Sequence, residues 1–221
     1  MKLFFQAILK FSLGVVLVGA LIFIPAGTFS FFGGWLLMGI LFVPMFVAGL
    51  IMLFKSPNLL KSRLEAKEKQ KEQSLVVKLS ALMFILGFVV AGLDFRFSLF
   101  TLPKSVSIIC GVVFLAFYVM YAFVLKQNEY LSRTIKVEEN QKVITTGLYS
   151  VVRHPMYTAT LGLFLSMPLV LGSLFSFVIF LSYPFIIVKR LKSEEEFLEK
   201  ELNGYKEYKQ KVKYRLIPFI W

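Results

Sequence analysis

Residues 157–188, "YTATLGLFLSMPLVLGSLFSFVIFLSYPFIIV", run on without a single charged residue. A helix that crosses a bilayer needs about 20 apolar residues, so this stretch is too long for one crossing. Pro168 and Gly172, within "PLVLGS", punctuate it near the middle. The two halves therefore read as a helical hairpin that enters and leaves the membrane on the same side. This reading decides the fold, because it sets the side on which everything beyond Val188 lies.

Upstream, residues 4–24, 32–54, 76–93 and 105–125 each have spanning length. Hydrophobic residues make up 57% of the 221, and the mean hydropathy is +0.74, above the level of soluble domains. The expected architecture is an all-α integral membrane protein: four spanning helices, the C-terminal helical hairpin and a cytoplasmic C-terminal helix. It divides as one membrane domain into an N-terminal hairpin (1–54), a basic cytoplasmic loop (55–75), a second helical hairpin (76–125) and a core (126–221). The uncharged "PAGTFSF" loop closes the first hairpin, and glycines 14, 19, 39 and 49 with Pro44 permit close helix contact or a kink. The charge run "KSPNLLKSRLEAKEKQKEQS" reads as an amphipathic helix. "VEENQKVITTGLYSV" reads as a short strand or irregular loop. Residues 1–24 have no small-residue cleavage site and read as a retained helix.

The net charge of +12 would suit nucleic acid, but its distribution points elsewhere. Seven Lys or Arg lie in 55–78, five in 126–153 and nine in 189–215; with Lys2 and Lys10, 23 of the 25 share one side. The positive-inside rule makes that side cytoplasmic, facing anionic membrane lipids. Nucleic acid is not an expected partner. Cys110 is a lone cysteine in the fourth span and reads as a small buried hydrophobe, and the absence of clustered His, Cys or acidic ligands argues against a metal.

Polar chemistry gathers in two places. "GLYSVVRHPMY" (147–157) holds the only histidine, His154, beside Arg153 and before Pro155. Proline suits a first helical position, which puts His154 near the N-cap and Tyr157 in the first turn. A helix start with a guanidinium beside it suits a carboxylate or phosphate, while Arg, His and Tyr are equally ordinary headgroup-level anchors. The second cluster is "KSEEEFLEKELNGYKEYKQKVKYRLIPFIW" (192–221). Ser193 and Glu196 have capping-box spacing. At 100° per residue, Glu194 and Glu195 flank the face carrying Leu198 and Leu202, and a carboxylate held at an apolar boundary needs a cation. A solvated face is the plain alternative. Asp94 and Arg96, two residues apart, read as a local ion pair, and Asn203-Gly204 ends a helix before Tyr205 and Tyr208.

Taken in order, "TTGLYSVVRHPMY", "EEEFL", "NGYKEYKQKV" and "LIPFI", with "PNLLKSR" and "LDFRF" upstream, resemble the isoprenylcysteine carboxyl methyltransferase family, related to the membrane phospholipid methyltransferases. The resemblance spans roughly residues 57–221, and departs from the pattern at "NG" and at Thr158-Ala159. It implies S-adenosylmethionine bound at the cytoplasmic membrane edge, in the inner membrane if the source is a prokaryote, and a lipophilic small-molecule or lipid acceptor entering from the bilayer. By the same resemblance Tyr149, Arg153, His154, Pro155, Tyr157, Glu194, Glu195, Tyr205 and Tyr208 line the cofactor pocket, with Arg153 and Glu195 at the chemistry. The cofactor's carboxylate would meet Arg153 and the helix start, and its cationic groups the acidic pair. Sterol reductases share a very similar ending, so an NADPH-dependent membrane reductase is the competing reading; a lipid-binding scaffold is a third.

Overall fold

The computed structural model describes residues 2–64, 71–128, 130, 131, 137 and 140–221. Those residues form helices α1 (Lys2–Ala26), α2 (Phe32–Lys55), α3 (Pro57–Leu64), α4 (Lys71–Phe97), α5 (Lys104–Gln127), α6 (Pro155–Val170), α7 (Leu174–Phe180), α8 (Tyr183–Glu201) and α9 (Tyr205–Lys211), with no strand among them. Among the described residues, five stretches are long and apolar enough to cross a membrane: Leu3–Ala26, Phe32–Lys55, Ser74–Phe97, Lys104–Gln127 and Leu174–Glu201. This is an all-α integral membrane protein. Helices suit it because each satisfies its own backbone hydrogen bonds in a solvent that offers none.

The 157–188 break falls where the residues place it. Gly172 adopts φ +75°, a left-handed turn a side chain would strain, and Ser173 caps α7 by accepting from the Ser176 N–H at 3.2 Å. The outgoing limb bends once at Leu181-Ser182, ahead of Pro184 in the first turn of α8. It then continues unbroken to Glu201. The expected separate helix beyond Val188 is therefore the same helix as the hairpin's second limb. Ile187, Leu191 and Glu195, spaced by four, form one buried stripe across that point.

α4 packs against α1, α7 and α8, and α5 against α2 and α6. Their shared core includes Ile22, Leu37, Phe88, Phe114, Leu163, Val170, Phe180 and Leu191. Most of α1, α2 and α5 instead presents apolar side chains outward, as lipid-facing helices do. The closest helix approaches are not at the glycines singled out from sequence. A Cβ at Gly39 or Gly49 would touch nothing, whereas one at Gly92 would sit 2.6 Å from the Ile22 carbonyl oxygen, and one at Gly33 2.9 Å from that of Leu171.

Two ends result. At one, the α4–α5 loop meets the α6–α7 turn: the Leu102 N–H donates to the Gly172 carbonyl at 2.8 Å. There Asp94, buried, accepts from the Phe100 N–H at 2.8 Å and the Ser173 hydroxyl at 2.5 Å. Asp94 thus serves the fold through these donors rather than through Arg96, whose guanidinium lies by Gly27 and over the Phe97 ring. At the other end lie α3, residues 140–154 and the C-terminal segment. Of the run expected as an amphipathic helix, Pro57–Leu64 is helical and 65–70 fall outside the described residues. Residues 141–145 are irregular and lead into a 3-10 turn at Gly147–Ser150; 138 and 139 fall outside the described residues.

Candidate active site

Arg153 and His154 lead into α6 as irregular chain with which the returning C-terminal segment pairs. The Arg153 N–H donates to the Tyr214 carbonyl at 2.9 Å and the His154 N–H to that of Arg215 at 3.0 Å. Thr158 adds a hydroxyl bond to the Leu216 carbonyl at 2.7 Å. His154 is the N-cap and Pro155 the first residue of α6, as its sequence position suggests.

The two charged clusters converge. Glu195, only 3% exposed, accepts from Arg153 Nε at 2.7 Å and from Arg215 Nε at 2.9 Å, and its Oε1 lies 3.2 Å from His154 Nε2. Arg153 Nη1 also donates to the carbonyls of Val212 (2.8 Å) and Lys213 (2.9 Å). One carboxylate therefore ties α8 to the α6 start and to the C-terminal strap, with its charge matched by guanidinium groups.

Glu194, its neighbour, faces another way. It accepts from the Tyr157 hydroxyl, which in turn accepts from Arg190 Nε at 2.9 Å. Glu194 lines a hollow with Arg153, His154, Met156, Tyr157, Arg190, Tyr149, Tyr205 and Tyr208; the other wall is Asn128, Leu131 and 141–144. The hollow measures about 100 Å³, below the roughly 300–1,000 Å³ of most small-molecule pockets. It admits one end of a cofactor-sized ligand unless the irregular wall yields.

The tyrosines are anchored by name. Asn128 Nδ2 donates to the Tyr149 hydroxyl at 2.9 Å, and the Tyr208 hydroxyl donates to the Tyr149 carbonyl at 2.7 Å. The Tyr205 hydroxyl lies 3.5 Å from His154 Nε2, and the His154 ring stacks on Tyr157 with centroids 5.7 Å apart. Gly204 at φ +84° turns the chain so that α9 can present both residues. Burial pushes the Tyr149 phenol up to about 12. It also raises Tyr205, with the charges of Glu195 and Glu194 adding to the effect, and Tyr208, where Tyr149 adds to it.

All nine residues singled out from sequence thus lie within one assembly, but on two shells of it: Glu195 is not on the hollow's wall, while Glu194 is. Sequence reading missed Arg190, Arg215 and Asn128. Arg190 had a signal, standing one helical turn before Glu194. Arg215 had none, since its approach to Glu195 depends on the chain's return. The capping-box reading of Ser193 and Glu196 fails, because Ser193 is mid-helix and its hydroxyl bonds back to the Lys189 carbonyl at 3.3 Å.

Comparison with known proteins falls on these same elements. Residues 104–204 match the sequence profile described as phospholipid methyltransferase, a family that includes the isoprenylcysteine carboxyl methyltransferases. The Delta(14)-sterol reductase of Mus musculus is 30% identical over 91 residues, 40% of this chain but 22% of that protein, so the chain spans under a quarter of the reductase's length. From the first residue of α5 to the turn before α9, this membrane protein carries the sequence profile of the phospholipid methyltransferases.

Proposed function

We propose that the protein is an S-adenosylmethionine-dependent methyltransferase that acts on a lipophilic acceptor (an isoprenoid carboxylate, a lipid amine or a similar molecule) at the cytoplasmic face of the membrane. The observation that carries the proposal is the hollow itself: a carboxylate, aromatic faces and guanidinium groups gather at the end of an apolar hairpin, on a scaffold of a methyltransferase family.

S-adenosylmethionine supplies a methyl group on a sulfonium, together with an ammonium and a carboxylate. The residues present fit those charges. Glu194 offers a carboxylate to a cation, and Tyr149, Tyr157 and Tyr205 offer ring faces that attract one. Arg190, Arg153 and Lys142 around the same hollow offer donors to an anion. Glu195 holds Arg153 and His154 in place from behind; with Pro155 at the helix start and Tyr208 locking Tyr149, it completes the expected set of residues.

Methyl transfer by in-line displacement needs no covalent bond to the protein. The chain's contribution is to align the acceptor with the methyl carbon and to exclude water, and alignment alone can supply up to about 10 kcal/mol. Because methyl transfer would discharge a sulfonium, a Glu194 contact that held the cation too tightly would slow the step. Burial keeps the tyrosines of the pocket protonated at working pH.

The reductase match favours one other reading, in which the guanidinium wall holds NADPH phosphates. Thermal denaturation of the detergent-solubilised protein separates the two. Stabilisation by S-adenosylhomocysteine and none by NADPH is expected. The reverse pattern overturns the proposal, and no response to either leaves a non-catalytic lipid-binding role.

A further inference from the structure

Beside the hollow, α3 carries a guanidinium for which the chemistry above has no use. Arg63 lies in the last turn of α3 and is half-buried. Its Nη2 donates to the Tyr121 hydroxyl, its Cζ sits 5.7 Å from the centre of that ring, and its Nη1 lies 4.0 Å from Met156 Sδ. All three contacts are with neutral groups, and among the described residues no carboxylate pairs with it. Burying a cation without a counter-charge is costly, so the arrangement calls for an anion.

The position is built rather than incidental. Leu59 and Leu60 are buried beneath α3, Lys10 of α1 donates to the Leu64 carbonyl at 2.5 Å, and the Ser62 hydroxyl donates to the Leu59 carbonyl at 2.9 Å. These contacts hold Arg63 at the seam of α3, α5 and α6. Met156 is at once its neighbour and a wall of the hollow. A molecule whose tail lay in the bilayer and whose head touched Arg63 would therefore stand next to the pocket.

We propose that Arg63, supported by Tyr121, binds the oxyanion head of an amphiphile at the membrane edge of the pocket. The planar guanidinium fork matches a carboxylate or a phosphate in two-point fashion, and Tyr121 fixes the fork's orientation by holding one of its arms. This deepens the methyltransferase reading and rests on it for one source of the anion: the head of the methyl acceptor. The other source is a bilayer phospholipid.

The test uses the full-length protein in a neutral detergent, with dodecyl phosphate, dodecanoate and dodecylamine as probes and binding read by thermal shift and calorimetry. Wild type is expected to bind one or both acids and not the amine. Arg63→Ala should weaken acid binding by at least roughly tenfold, the loss of one charge-assisted donor pair, while binding S-adenosylhomocysteine as wild type does. Should Arg63→Ala not fold, Arg63→Lys reads the same question, with weaker acid binding at unchanged melting temperature. Competition by phosphatidylglycerol bicelles assigns the anion to a bilayer lipid; acid binding that tightens with S-adenosylhomocysteine and resists phosphatidylglycerol assigns it to the acceptor. Equal binding of amine and acids, or acid affinity unmoved in both variants, overturns the site. Loss of S-adenosylhomocysteine binding by wild type would sink the methyltransferase reading instead.

Discussion

Glu194 and Glu195 are adjacent in sequence and do opposite work, which makes them the sharpest pair of substitutions in the molecule. Glu195→Gln leaves the buried Arg153 guanidinium facing a neutral amide beside the half-buried Arg215, and breaking a buried pair costs about 3–5 kcal/mol; a large drop in melting temperature is expected. Glu194→Gln removes a wall group of the hollow, so the melting temperature should hold while affinity for S-adenosylhomocysteine falls. If both variants behave alike, the two-shell division of the site is wrong. The tyrosines give a pH signature of defined sign. A phenol raised in the fold binds its proton more tightly there than in the unfolded chain, whose value is near 10, so its contribution is intact below pH 10. It is lost as pH rises through about 12 for Tyr149. An alkaline loss of stability coincident with tyrosinate absorbance, and reduced in Tyr149→Phe, checks this. The acids and the Arg-His-Pro segment were legible in the sequence because each is marked by local spacing. Which acid faces the hollow was not, since that depends on Arg215 returning from the far end of the chain.

At the scale of helices, glycine contacts separate spacing from packing. Gly92→Ala would press a methyl group into the backbone of α1 and should cost about 1–3 kcal/mol. Gly49→Ala meets nothing within reach and should be neutral or slightly stabilising. Melting temperatures in one detergent compare them directly. The hairpin break at Pro168–Gly172 was readable because proline and glycine act locally. The continuity of α8 was not, because "SEEE" imitates a helix start and only the packing of Ile187 and Leu191 carries the helix through it. The irregular 141–145 wall belongs at this scale too. A hollow of about 100 Å³ must widen to take a whole nucleoside cofactor, so amide exchange in 141–145 should slow when S-adenosylhomocysteine binds. Unchanged exchange there would place the ligand elsewhere.

Across the whole molecule, most of the described basic residues, α3, the hollow and the C-terminal strap share one end, and the asymmetry of charge predicts that this end faces the cytoplasm. In a Cys110→Ala background, Lys206→Cys should react with a membrane-impermeant maleimide only from the cytoplasmic side, and Leu99→Cys only from the opposite side. The reversed pattern would turn the protein over and move the proposed chemistry with it.

The bond from the Ser173 hydroxyl to Asp94, beside the Leu102–Gly172 backbone pair, has a mechanical consequence. It rivets the α4–α5 tips to the α6–α7 bend at the edge remote from the pocket, and so acts as a fulcrum. Like tongs joined at the handle, helical arms held there would have their greatest freedom at the opposite end, where Arg63 and Glu194 stand. Cutting the rivet with Asp94→Ala should let the arms slide as well as spread, so a lipid would still enter while the grip that aligns it was lost.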